Sequence, residues 1–230
     1  MFSAVANFPL LDLFAVLWFF ALWVGYAYYT RHKAQQKTAL MSVTHDYRKQ
    51  WMMRVIEREH RIVDSSILAN LSNSSTFFAS TTLLILGGLL AMLGTLERIA
   101  GVVAELPFTT HVSERLWEIK VMLLIAIFVY AFFKFTWSLR QFNFCAILVG
   151  AAPTPTDQIE QHMGFINRTA RLASLAGDCF NDGLRAYYFG LAALTWFLNP
   201  WVFLIATAWV VLVLYLREFR SNALRALTED

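Results

Sequence analysis

Long apolar runs separated by polar segments set the pattern of this chain. A run of about 20 apolar residues can cross the hydrocarbon core of a bilayer as a helix. The last such run, residues 185–216, is longer than one span and contains Asn199 and Pro200. Proline cannot continue the helical hydrogen-bond ladder, so this run is predicted to be a tight hairpin of two helices. The predicted spans are residues 10–29, 76–96, 117–139, 178–198 and 201–219.

Two tryptophans, Trp196 and Trp201, flank the predicted hairpin. Tryptophan is enriched where a membrane meets water, because its ring is apolar and its N–H is a hydrogen-bond donor. We therefore expect both indoles to lie at the bilayer surface.

The connection before the second span has a helical period of its own. Between Trp51 and Leu68, apolar residues recur on one helical face and charged residues on the other. The apolar face comprises Met52, Val55, Ile56, Ile62, Val63 and Ile67. No proline lies between Pro9 and Pro107, so this segment is predicted to run into the second span as one long helix.

The predicted fold is an all-α, polytopic transmembrane helix bundle of about five spans, forming a single membrane domain over residues 1–230. Helical extensions are predicted to form a small cytoplasmic layer beneath it. These extensions are residues 41–75, 140–150 and 157–177.

Composition supports a membrane location. Hydrophobic residues make up 58% of the chain and charged residues 15%, and the mean hydropathy is +0.50. Soluble domains are usually nearer one quarter charged, so the apolar excess is expected to face membrane lipid. The net charge of +3 needs no nucleic-acid partner to explain it.

The positions of the basic residues predict an orientation. Eight Lys or Arg residues lie between Thr30 and Ser75, and others lie in the third connection and the C-terminal tail. Only Arg98 and Arg115 lie between the second and third spans. With five crossings, the basic segments share one side, which the positive-inside rule makes cytoplasmic. The N-terminus is then outside and the C-terminus cytoplasmic.

Polar side chains cluster where the second and fourth spans begin. The spacing places each set on one helical face and predicts a single polar network. The candidates are Asn70, Asn73, Thr76 and Ser80 where the helix of the second span enters the bilayer, and Asp178, Asn181, Asp182 and Arg185 at the start of the fourth span. Ionisable groups at membrane depth point to a polar pathway or ligand site. The alternative is that these groups only hydrogen-bond helices together.

Other candidate sites carry weaker signals. His60 and Asp64 are four residues apart, which is a metal-ligand spacing on a helix, but a solvated face of ion pairs is the favoured interpretation. No cofactor is expected. Asp12 and Lys134 lie within apolar runs, where we expect them to reach the interface or pair between helices.

Three stretches resemble a family known as domain of unknown function 599. They are NSSTFFASTTLLILGGLLA at 73–91, NDGLRAYYFGLAALTWFLNPW at 181–201 and LYLREFRSNAL at 214–224. The resemblance covers most of the chain and implies a multi-pass membrane protein of bacteria or plants, here expected in a bacterial inner membrane. It implies no activity, substrate or catalytic residue.

Three functional classes remain open. A channel or transporter would use the polar face of the second span as a lining, in a homo-oligomer, because five helices are few to enclose a pore. A scaffold or assembly subunit would use the same faces to hold a membrane-protein partner. An enzyme would need convergent catalytic groups, and no recognisable spacing provides them. The channel or transporter is ranked first and the scaffold second.

Overall fold

The computed structural model describes residues 9–34, 39–94, 114–153 and 158–228, and every regular element within these ranges is helical. Short 3₁₀ turns, Ile159–His162 and Thr195–Phe197, lie directly before and after the helix Met163–Leu194. The helices are α1 (Leu10–Ala34), α2 (Leu40–Glu57), α3 (Ile62–Leu93), α4 (Glu114–Gly150), α5 (Met163–Leu194), α6 (Pro200–Phe219) and α7 (Asn222–Thr228). Residues 95–96 of the predicted second span and residue 157 of the predicted layer lie outside the described residues.

The five helices α1, α3, α4, α5 and α6 alternate in direction along the bundle. Lys134 of α4 lies beside Asp182 of α5, and Lys120 lies beside Trp196 in the 3₁₀ turn after α5, so these two helices are antiparallel. Helices α1 and α6 contact α5 at the same two ends and run parallel to α4, and α3 runs antiparallel to α4. Alternating directions are what successive membrane crossings require.

Two apolar cores are stacked along the bundle. The larger core lies among α1, α3, α4, α5 and α6, and it contains Phe19, Phe135, Phe189 and Trp196, all fully buried. The second core joins α2 to the extensions of α3, α4 and α5, with Met52 among its fully buried residues. The predicted all-α bundle with a smaller helical layer is therefore confirmed.

The predicted hairpin at Asn199 and Pro200 is also confirmed. The Asn199 side chain caps α6 by accepting a hydrogen bond from the Trp201 backbone N–H at 2.8 Å, and Pro200 is the first helical residue, where its missing N–H costs nothing. The expectation for Trp196 is wrong: its indole is fully buried against Phe203, whereas Trp201 is 61% exposed.

The predicted continuous helix from α2 into α3 is wrong. Residues 58–61 are not helical, although the segment contains neither proline nor glycine, and the Arg61 side chain bonds backbone carbonyls at this break. Its guanidinium donates to Val55 O at 3.2 Å and to Pro153 O at 2.5 Å. The break changes the helical phase, so Ile62 is 74% exposed and the side chain of Asp64 is fully buried.

Four of the described helices, α1, α3, α4 and α6, are long and apolar enough to cross a membrane. Helix α5 does not meet that criterion, because it carries Asp178, Asp182 and Arg185 where the fourth span was predicted. This set of four apolar helices is compatible with a membrane protein, and the fifth membrane crossing, by α5, stays a prediction.

Candidate functional site

Asp182 of α5 is the centre of an ionic cluster at one end of the larger core. Its Oδ2 atom accepts hydrogen bonds from Lys134 Nζ at 2.8 Å and from Arg31 at 3.4 Å, and its Oδ1 atom lies 3.4 Å from Arg185. The Asp182 side chain is 14% exposed. Three cations therefore surround one carboxylate, which leaves this end of the bundle with an excess of positive charge. We call it the Asp182 end.

Asp178, one helical turn before Asp182, faces the second layer. Its Oδ1 atom is 3.0 Å from Nε2 of His45 on α2. The guanidinium of Arg48, also on α2, lies directly over Gly177, where an added Cβ would come within 2.9 Å of Arg48 Cζ. Burial lowers the pKa of Arg48, and the nearby Asp178 carboxylate acts in the opposite direction. Asp178 thus ties α2 to α5.

Arg185 is 7% exposed and fills the space between α1 and α2. Its Nη2 atom lies 3.3 Å from the sulfur of Met41, and its guanidinium stands 5.7 Å from the Tyr26 ring centre. An aromatic face stabilises a partly desolvated cation. Arg185 consequently links the ionic cluster to the aromatic core.

The four predicted residues of α3 lie apart from this cluster. Asn70, Asn73, Thr76 and Ser80 are all exposed, and the Thr76 hydroxyl bonds back to Ser72 O at 3.0 Å. Among the described residues, no hydrogen bond joins them to an α5 carboxylate. Within one chain, Asp178, Asp182 and Arg185 therefore lie together on α5, whereas the four α3 residues lie outside their cluster. The residues of the predicted network thus form two separate groups. Asn181 is half-buried on α5.

Other polar residues of α3 make the contacts with the core. The Ser75 hydroxyl is 3.2 Å from that of Ser138, which also donates to Ala176 O at 2.8 Å. The Thr82 hydroxyl is 2.8 Å from the Tyr187 hydroxyl. Ser75 and Thr82 are seven positions apart, which is about two helical turns, so they share one face of α3. This inner polar face lies opposite the exposed face that carries Asn70 and Asn73.

The exposed residues of α3 form a continuous seam, which we call the α3 stripe. Its members alternate at spacings of three and four, the spacing of residues that meet a neighbouring helix. They are Val63, Ser66, Asn70, Asn73, Phe77, Ser80, Leu84, Gly87 and Ala91, and all are exposed. Only 11% of the most apolar stretch of α3 is buried, against 44% for α4. Among the candidate spans, α3 is therefore the one least covered by its own chain.

A second ionic cluster lies at the opposite end of the core and was missed by the sequence analysis. Lys120 is 1% exposed, donates to Trp196 O at 2.8 Å and stands 5.2 Å from the Trp196 ring centre. The Trp196 N–H donates to Asp12 Oδ1 at 2.7 Å. The signal was present, because Lys120 is a cation inside the apolar run that begins at Trp117. Asp12 and Lys134 both pair between helices.

The weak metal candidate does not assemble. His60 is exposed in the break between α2 and α3, whereas Asp64 is buried and its Oδ1 atom accepts from Trp51 Nε1 and Arg58 Nη1, each at 2.7 Å. The carboxylate thus links the start of α3 to Trp51 of α2 and to Arg58 in the break. No group of three or more His, Cys, Asp and Glu suited to a metal ion occurs in the part of the chain that the structure describes.

Residues 14–223 match the family described as Protein of unknown function, DUF599. No curated protein matches the chain, and no solved structure matches it.

Proposed function

The chain belongs to the DUF599 family, and we propose that it is a homo-oligomeric membrane channel or transporter-like protein in which the α3 stripe lines a polar path. The carrying observation is the exposed position of Asn70, Asn73 and Ser80 on a helix long and apolar enough to cross a membrane.

The energetic argument concerns the exposed polar side chains of α3 where this helix is proposed to enter the bilayer. An asparagine carries two N–H donors and a carbonyl acceptor, and hydrocarbon satisfies none of them. Pairing with the same face of a second copy, or facing a water-filled path, removes that cost. The small residues Gly87 and Ala91 at the far end of the stripe permit close approach, and nothing lies within 4 Å of a Cβ added at Gly87.

The proposed orientation places the Asp182 end at the cytoplasmic surface. That end carries Arg31, Lys134 and Arg185, and the second layer adjoining it contains Arg48. Basic residues of short connections favour the cytoplasmic side. The N-terminus of α1 is then outside and the C-terminus of α6 inside, as five crossings require.

A scaffold role is the second candidate, and the same stripe supports it. A seam sealed by a second copy or by another membrane protein would satisfy Asn70 and Asn73 without leaving a path. The two functions therefore differ in one property, which is whether water reaches the stripe in the assembled protein.

Cysteine substitution tests the assembly. In a background with Cys145 and Cys179 replaced by alanine, Ser80→Cys should form disulfide-linked dimers in the membrane. Ile205→Cys on α6, 70% exposed, is the matched control and should remain monomeric. Equal cross-linking at both positions would contradict an α3 interface.

Conductance in planar bilayers tests the path. Asn73→Asp places a carboxylate on the stripe and should raise cation preference, because a charged ring sets selectivity. Asn167→Asp makes the same change on an exposed residue of α5 outside the larger core and should leave selectivity unaltered. Cross-linking through Ser80→Cys without any conductance would favour the scaffold.

A further inference from the structure

A groove of about 450 Å³ separates α1 from α4 on the outer surface of the larger core. It exists because α1 packs mainly along α6, so its other side stands away from α4. The α1 wall includes Phe20, Val24 and Ala27, and the α4 wall includes Leu123 and Ala126. A volume of this size with mainly apolar walls is typical of a ligand site.

The groove changes character along its length. It is apolar at Phe20 and ends at Arg31, with Tyr28 and Tyr130 beside the arginine. Eleven residues of helix separate Phe20 from Arg31, which corresponds to about 17 Å. One leaflet of a bilayer has a hydrocarbon thickness of about 15 Å. The groove therefore matches a single acyl chain in length and ends in a cation where a headgroup would lie.

The charges at the mouth of the groove favour an anion. Arg31 makes the longer bond to Asp182, at 3.4 Å, and its side chain is 68% exposed, whereas Lys134 holds the same oxygen at 2.8 Å. Lys134 and Arg140 continue the basic surface along α4, in a depression that shares Tyr130 with the groove. A guanidinium that is loosely paired can turn to bind phosphate through two N–H groups.

We propose that the groove between α1 and α4 binds one anionic phospholipid, with an acyl chain against Val24 and Ala126 and the phosphate at Arg31. Basic pockets between membrane helices on the cytoplasmic side suit anionic headgroups. The proposal requires that the chain lies in a membrane, but it is independent of conduction and of the α3 stripe, which belongs to another helix.

Native mass spectrometry of the detergent-solubilised protein tests it with two lipids of identical acyl chains, phosphatidylglycerol and phosphatidylcholine. The wild-type chain should retain one phosphatidylglycerol with a clear preference over phosphatidylcholine. Arg31→Gln should reduce that preference about tenfold, since it removes a charge-assisted hydrogen bond. Lys33→Gln removes the same charge two residues away, outside the groove, and should retain the preference.

Blocking the apolar part separates lipid from a simple anion. Ala126→Trp and Val24→Trp fill the groove from opposite walls, and both residues are exposed, so the chain should still fold. Each should abolish phosphatidylglycerol retention, whereas Val129→Trp, on α4 outside the groove, should not. The proposal is overturned if both filled variants bind lipid normally, if Arg31→Gln and Lys33→Gln behave alike, or if inorganic phosphate displaces the lipid.

Discussion

Lys120 of α4 donates a hydrogen bond from Nζ to the backbone carbonyl of Trp196, in the 3₁₀ turn after α5, at 2.8 Å, with its side chain almost completely removed from solvent. The Asp12 carboxylate accepts from the Trp196 indole and acts electrostatically on Lys120. A buried ammonium is tolerated only where such partners replace water.

Replacing Asp12 with alanine should therefore destabilise the chain by about 3–5 kcal/mol, because the charge of Lys120 then lacks a compensating partner. The double variant Asp12→Ala with Lys120→Met should recover part of that loss. Thermal unfolding in detergent, followed by circular dichroism, measures both. A double variant less stable than Asp12→Ala alone would contradict the compensation.

A double-mutant cycle on Lys134 and Asp182 should give a coupling energy of about 1–3 kcal/mol, since the pair is largely buried and its N–O distance is 2.8 Å. The matched cycle uses Arg54 and Glu57 of α2, a pair with the same distance whose arginine is 69% exposed. That control should couple by less than about 1 kcal/mol. Chemical unfolding in mixed micelles provides the energies; equal coupling in the two cycles would count against an ionic role for Asp182.

Gly183→Ala should destabilise the bundle by about 1–3 kcal/mol. A Cβ at this position would lie 2.7 Å from ring atoms of Phe135, a fully buried residue of α4. Gly164→Ala is the control on the same helix, where nothing lies within 4 Å, and it should be neutral or slightly stabilising. Adding Phe135→Leu to Gly183→Ala should restore part of the stability. Unfolding temperatures measure all three, and a neutral Gly183→Ala would show that α4 and α5 separate easily.

Reporter fusions test the orientation. An enzyme reporter that works only in the cytoplasm should be active after Thr228 and inactive when inserted between α3 and α4, because five crossings place these sites on opposite sides. A second reporter, of a kind that works only outside the cytoplasm, should be inactive after Thr228. Activity of this second reporter would instead support four crossings.

The sequence predicted those elements that depend on local chemistry. Asn199 and Pro200 define a turn and a cap through their own backbone and side-chain properties, so the hairpin followed from two letters. The break before α3 could not be predicted in this way, because the Arg61 side chain at the break bonds the carbonyl of Pro153, a residue 92 positions away. The break changes the helical phase of the residues that follow it. Ile62, which periodicity placed on the apolar face, is therefore exposed, and the charged Asp64 is buried.

The candidate site was half predictable for the same reason. Asp182 and Arg185 were found from their place in an apolar run, but Arg31 and Lys120 acquire their partners only through helix packing. Periodicity also placed Asn70 and Asn73 together correctly on one face of α3. It could not show which face of α3 the rest of the chain covers, since polar residues occur on both.

The two lysine contacts of α4 are separated by the same number of residues as their partners on α5 and the turn that follows it: 14 from Lys120 to Lys134, and 14 from Asp182 to Trp196. The interval is about four helical turns, or about 21 Å. Sliding α4 past α5 by even one turn would break both contacts together and drive the Phe135 ring off Gly183 into bulkier neighbours. The α4–α5 pair is thus held in one register, so a rearrangement of the bundle has to move the other helices against this pair.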